Sequence, residues 1–214
     1  MRMCGLHRKI LVDMFKTFNN FINENINSLV YGPERKHDLP KIALDELPLI
    51  SPPANNSDET KAELEYLAAL PKANDFDKSF NWLFAKYVDE SGEGDENTKD
   101  DIENYSKEIK NIVIALKNHY NRPRPYQLAA YHNIDLGDVY NSSTAKTASY
   151  PSGHTVQPFA IAKALSKKYP TLTHGLYKIA DDIAKSRLKM RLHFPSDYKY
   201  GKKLGEVIGS NLPI

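Results

Sequence analysis

The chain has 214 residues with hydrophobic side chains at 41%, enough for one buried core and too few residues for several domains. Basic and acidic side chains nearly balance, 29 against 27, for a net charge of +2, so charge gives no argument for a nucleic-acid partner. A single cysteine, Cys4, excludes an intramolecular disulfide.

The pattern predicts an all-α protein. Segment 8–30 places Ile10, Leu11, Met14, Phe18, Phe21 and Ile22 at helical spacing, an amphipathic helix or appendage over 1–30. It reads as a packing or partner-binding helix. Self-pairing into a homodimer and peripheral membrane contact stay open for it. The opening MRMCGLHRKILVDMF is basic but has no signal-peptide apolar core, and no stretch reaches the roughly 18 apolar residues of a span. A soluble, cytoplasmic protein is the expectation.

Residues 31–57 are irregular and proline-rich, and Pro52-Pro53 stops any helix. Asn56 with Glu59 then makes a capping-box pattern opening a helix over about 57–70. A second helix is expected over 74–90. The acidic run SGEGDENTKDD reads as a solvated loop. A long helix over about 98–121 carries Tyr105, Ile109, Ile112, Val113, Leu116 and Tyr120 on one stripe. Residues 132–149 read as a polar loop, and further helices fit 153–168, 172–192 and 196–210.

Three stretches carry polar groups where the pattern calls for apolar ones. Lys117 borders the apolar stripe of its helix, and Arg187 continues the stripe traced by Leu176, Ile179, Ala180, Ile183 and Ala184. Either their stems pack while the heads reach water, or an anion meets them, because a buried unpaired cation costs several kcal/mol. Pro151-Ser152-Gly153-His154 starts a helix. It is either a plain loop-to-helix turn or an anion site at a helix N-terminus, with Gly153 allowing close approach. His193 lies four residues before Asp197 across a proline turn. That pair is either a structural hydrogen bond or a device that fixes one imidazole tautomer and leaves the other nitrogen free to attack.

Together these stretches resemble the type 2 phosphatidic acid phosphatase superfamily, whose signature reads K-x6-R-P, P-S-G-H and S-R-x5-H-x3-D. Here the pieces are Lys117 to Arg124-Pro125, Pro151 to His154, and Ser186-Arg187 with His193 and Asp197, in the right order and spacing over about 117–210. Within that superfamily the chain looks most similar to soluble bacterial class A acid phosphatases.

The resemblance implies a helical domain over 31–214 and a phosphatase acting on phosphate monoesters, with diphosphates also open. It implies His193 as nucleophile, Asp197 as its orienter and His154 as general acid and base. Lys117, Arg124, Ser152, Gly153 and Arg187 would bind phosphate. No metal and no resident cofactor are implied, and the partner is a small phosphorylated substrate. Vanadate is expected as an inhibitor. It becomes a cofactor only under the alternative of a vanadium haloperoxidase, and a non-catalytic anion-binding scaffold is the other alternative.

The spacing selects Arg124 rather than Arg122, which is expected to face outward or support the rim. His7, His37, His119, His132 and His174 show no ligand spacing. Class A phosphatases are exported and often carry cysteine pairs, and in both respects this chain departs from the pattern. Nothing in the sequence names the substrate.

Overall fold

The computed structural model describes residues 47–71, 79–137 and 145–213. The predicted helix over 8–30 lies outside these residues.

Among the described residues seven α-helices run in chain order: α1 Asp58–Ala69, α2 Phe80–Ser91, α3 Thr98–Tyr120, α4 Pro125–Ala129, α5 Gly153–Lys168, α6 Thr173–Lys189 and α7 Pro195–Asn211. Among the described residues there is no strand, as the all-α reading expects. None of these helices is long and apolar enough to cross a membrane.

Helix α5 is the central element, packed against α3, α6 and α7. Its sequence explains the position: Val156, Phe159, Ala160, Ile161, Ala162, Ala164 and Leu165 are all buried, so it is apolar around most of its circumference. Helix α7 approaches it closely through Gly201, Gly205 and Gly209, one per turn. A Cβ at Gly205 would stand 2.6 Å from the Val156 carbonyl oxygen and 2.8 Å from Phe159 Cβ. This contact puts the two helix N-termini side by side, with Ser152 N–H 3.5 Å from the Asp197 carbonyl oxygen.

A smaller apolar cluster of Leu64, Leu67, Leu128, Leu136, Leu188 and Phe194 seats α1 and α4 against the turn between α6 and α7. Both ends of α1 are held. Ser57 Oγ accepts the Thr60 N–H at 3.2 Å, and Asp58 and Glu59 complement the helix dipole. At the other end Arg191 donates to the carbonyls of Leu67, Ala68 and Leu70 at 3.2–3.3 Å, from a left-handed backbone position (φ 58°).

Four helices start and stop within two residues of expectation. Four details differ. The helix predicted over 74–90 begins only at Phe80, with Ser79 as its cap. The cap of α1 is Ser57, not Asn56. The helix predicted over 172–192 ends at Lys189, because Arg191 turns left-handed and Phe194, which precedes Pro195, is extended. The five-residue α4, inside a stretch without helical periodicity, was not expected. Arg124 caps it in extended conformation, Pro125 fills its first position, and the Gln127 side-chain oxygen accepts the Arg124 N–H at 2.8 Å.

Candidate active site

Four chain segments meet where α3 ends, α5 begins and α6 turns into α7. Helix α3 stops at Asn121 in left-handed conformation (φ 44°), whose N–H returns to the Lys117 carbonyl at 2.9 Å. The turn sends the following Arg-Pro pairs inward instead of along the helix axis.

Lys117 is 6% exposed and Arg187 3%, so neither snorkels to water. Lys117 Nζ donates to the carbonyls of Ala148 and Ser149, the latter at 3.2 Å. Burial, and then the nearby Arg124, hold its ammonium well below the usual lysine range. Arg124 is also buried. Its Nε donates to the Thr147 carbonyl at 2.9 Å and its Nη1 to the Leu192 carbonyl at 2.8 Å. Arg187 Nη1 sits 3.5 Å from Met190 Sδ. Backbone carbonyls thus help to orient Lys117 and Arg124.

Ser152 and Gly153 open α5 beside these cations. Ser152 is fully buried, and its hydroxyl oxygen has no hydrogen-bond partner among the described residues. A buried orphan hydroxyl costs about 1–3 kcal/mol, a cost that a ligand bound there would remove. His154 follows in the first turn of α5, its ring edge-on to Phe80 with centroids 6.0 Å apart. Burial, and then Arg187, Lys117 and Arg124, pull its imidazole down to about 3. Those three cations therefore face His154 from three segments.

His193 is 3% exposed and gripped on both nitrogens. Nδ1 lies 3.1 Å from Asp197 Oδ2, and Nε2 lies 3.0 Å from Arg124 Nη1. An arginine can only donate, so Nε2 is the bare nitrogen and the proton sits on Nδ1, donated to Asp197. Burial, and then Arg124, hold the imidazole well below its ordinary value, in its neutral form.

Asp197 is fully buried. Its Oδ2 accepts from Ser149 Oγ, from the Phe194 N–H at 3.0 Å and from His193. Its Oδ1 accepts from Arg122 Nη1 at 2.9 Å. Burial alone would raise this carboxyl. Arg122, His193 and Ser149 together outweigh that and hold it well below the usual carboxylate range.

Arg122 corrects an expectation. It does not face outward: it is 1% exposed, stacked 3.9 Å over the Phe194 ring and ion-paired to both Asp197 and Glu63 at 2.9 Å. Glu63 belongs to α1 and was not anticipated at all. The only sequence hint was the doubled Arg-Pro, one arginine more than the motif needs. Lys117, Arg124, Ser152, Gly153, His154, Arg187, His193 and Asp197 come from the segments that converge here. His119 and His174 are exposed, and His132 Nε2 pairs with the Asn55 carbonyl at 2.8 Å. Among the described residues no group of three or more His, Cys, Asp or Glu side chains is arranged to hold a metal ion.

Comparison with known proteins agrees with this geometry. Residues 109–210 match the PAP2 superfamily model. The chain is 29% identical over 119 residues to a non-specific acid phosphatase of Salmonella typhimurium, covering 52% of this chain and 46% of that protein. It is 31% identical over 93 residues to a non-specific acid phosphatase of Salmonella typhi, covering 44% of this chain and 36% of that one. The matched stretch thus spans less than half the length of either relative. The three cations, the helix N-terminus and the Asp-oriented histidine all fall within residues 109–210, the stretch that is similar to the PAP2 superfamily.

Proposed function

We propose that this protein is a phosphatase that hydrolyses phosphate monoesters through a phosphohistidine on His193, without a metal ion. The observation that carries the reading is the grip on His193. Asp197 accepts the hydrogen bond from Nδ1–H, and the bare Nε2 points at Arg124, one of three buried cations. Kinship with non-specific acid phosphatases supports the same class of reaction.

The chemistry follows from the placement. Lys117, Arg124 and Arg187 take the non-bridging phosphate oxygens, arginine with paired donors and lysine as a point charge. Ser152 Oγ and the backbone N–H groups opening α5 add neutral donors. Arg124 hands the bond it makes to Nε2 over to a phosphate oxygen, and Nε2 attacks phosphorus in line. The phosphorus–oxygen bond to the leaving group breaks, and His154 gives that oxygen its proton. Water then attacks the phosphohistidine. His154 takes a proton from this water, the phosphorus–nitrogen bond breaks, and phosphate and neutral His193 are regenerated.

His154 is pulled to about 3 by burial and by the same three cations. A phosphate dianion among them cancels that field and raises the imidazole's proton affinity, so substrate binding arms the acid. Negative charge grows on the equatorial oxygens in the transition state, where preset cations act most strongly. Loss of one such donor typically costs about 3–4 kcal/mol of barrier.

The test is phosphate release in EDTA from p-nitrophenyl phosphate, nucleoside monophosphates, pyrophosphate and a short-chain phosphatidate, comparing wild type with His193→Ala. Release that survives EDTA and vanishes in the variant is expected. No release between pH 4 and 9, or equal release by the variant, contradicts the reading. In the first case, bromide oxidation by peroxide with vanadate present becomes the assay to run.

A further inference from the structure

Both Nη groups of Arg122 are spent on positioning. Its Nη1 donates to Asp197 Oδ1 at 2.9 Å and to Ser196 Oγ at 2.6 Å, and its Nη2 donates to Glu63 Oε2 at 2.9 Å. Its guanidinium carbon sits 3.9 Å from the centre of the Phe194 ring, a cation–π contact that helps to hold the fork. Glu63 in turn clamps the first turn of α7. Its Oε1 accepts the Ser196 N–H at 2.5 Å and its Oε2 the Ser196 hydroxyl at 2.9 Å. A carboxylate at a helix N-terminus is favoured by the dipole, and the next residue in that turn is Asp197.

We propose that Glu63 and Arg122 form a positioning relay that locks Asp197, and through it His193, so that α1 is a working part of the site. Helix α1 lies outside the stretch 109–210 that matches the family model. The inference rests on the phosphatase reading for its kinetic arm only.

The geometry makes the relay specific. Arg122 occupies Oδ1, so the carboxylate cannot rotate, and Oδ2 alone serves His193, Ser149 and the Phe194 N–H. The charged or titratable groups that bear on Asp197 are Arg122, His193, Lys117 at the end of α3, and Tyr150 in the segment before α5. Of these, Arg122 is the one cation in direct contact through a short ion pair. Without it, a fully buried carboxyl drifts toward its protonated form and stops accepting from His193. Neither residue is placed to touch a phosphate, because both Nη groups of the buried Arg122 end on protein oxygens and Glu63 is itself an anion.

Arg122→Met, Arg122→Lys and Glu63→Gln in the full chain test this. In Arg122→Met, kcat is expected to fall about 10–100-fold, the usual cost of losing the partner that orients a functional side chain. KM should stay within about threefold, and the acid limb of kcat/KM should move to higher pH as Asp197 becomes easier to protonate. Arg122→Lys keeps the charge without the fork and should restore the limb but only part of kcat. Glu63→Gln should lower kcat without moving the limb upward.

The 15N shifts of His193 give a readout independent of turnover: Nδ1–H with bare Nε2 in wild type, and a tautomer mixture in Arg122→Met. A raised KM with unchanged kcat would make Arg122 a substrate-binding residue and overturn the relay, as would an unshifted limb with the wild-type tautomer. If Arg122→Met does not fold, the other two variants decide. If wild type releases no phosphate, the function is refuted, while the tautomer measurement still decides the relay.

Discussion

Replacing Asp197 by Asn removes one charge and no volume, and its consequence can be worked from the four contacts of this side chain. Oδ2 accepts three donors and Oδ1 accepts Arg122. An amide offers one acceptor atom and one donor atom. If its nitrogen takes the Oδ2 place, it faces Ser149 Oγ–H, the Phe194 N–H and the His193 Nδ1–H. If it takes the Oδ1 place, it faces the Arg122 guanidinium. Either orientation sets donor against donor, and Arg122 keeps only Glu63 as a charge partner. Removing one member of a buried ion pair costs about 3–5 kcal/mol. For a chain of this size that is a fall in Tm of roughly 6–20 °C, at about 2–4 °C per kcal/mol.

The cost to catalysis is separate. In the first orientation His193 relieves the clash by moving its proton to Nε2, which blocks the nucleophilic lone pair. In the Ser-His-Asp triad the same isosteric exchange drops kcat by about 10⁴ through the wrong tautomer. Urea unfolding and steady-state hydrolysis of p-nitrophenyl phosphate at pH 6 measure the two losses. A well-folded variant with kcat within tenfold of wild type would refute the claim that Asp197 sets the His193 tautomer. The pH dependence carries a further check. The folded carboxyl is held below its unfolded value of about 3.9, so its stabilising contribution is full above that pH and is lost as pH falls through the depressed folded value. The variant should lose that part of the acid sensitivity.

Two other outcomes follow from the same structure. His154 stands at about 3 in the folded chain against an ordinary value near 6.5, so the unfolded state binds more protons and stability declines as pH falls from 6.5 toward 3. A dianion among Arg187, Lys117 and Arg124 opposes that field, so sulfate binding at pH 5 should take up a proton. Calorimetry in two buffers of different ionisation enthalpy measures this, and proton release would contradict the assignment. Gly205→Ala would drive a Cβ to 2.6 Å from the Val156 carbonyl oxygen and to 2.8 Å from Phe159 Cβ. Forcing α7 off α5 should cost about 1–3 kcal/mol in urea unfolding and lower activity by separating Ser152 from Asp197. A neutral substitution there would show that the close helix contact does not position the site.

How much of this was legible in the sequence differs by element. Helix α5 was readable because its apolar run starts at a Pro-Ser-Gly turn, and α3 because its stripe repeats over about four turns. Lys117 and Arg187 announced themselves by interrupting apolar stripes, and the structure buries both. Arg122 and Glu63 were not readable. They are 59 residues apart, and helical periodicity says nothing about which carboxylate answers which cation across a fold. The direction of Arg122 depends on one left-handed residue, Asn121, which turns the chain into the core. The true end of α6 depends likewise on Arg191, whose left-handed backbone and side-chain bonds to α1 are tertiary choices.

The central claim is that phosphate passes through His193 before it reaches water. A phosphorothioate monoester made chiral at phosphorus with oxygen isotopes tests that directly when it is hydrolysed in isotopically labelled water. Two in-line displacements, one by His193 Nε2 and one by water, each invert the centre, so the account predicts net retention. Net inversion would mean that water attacks the ester in a single step, and His193 would then not be the nucleophile.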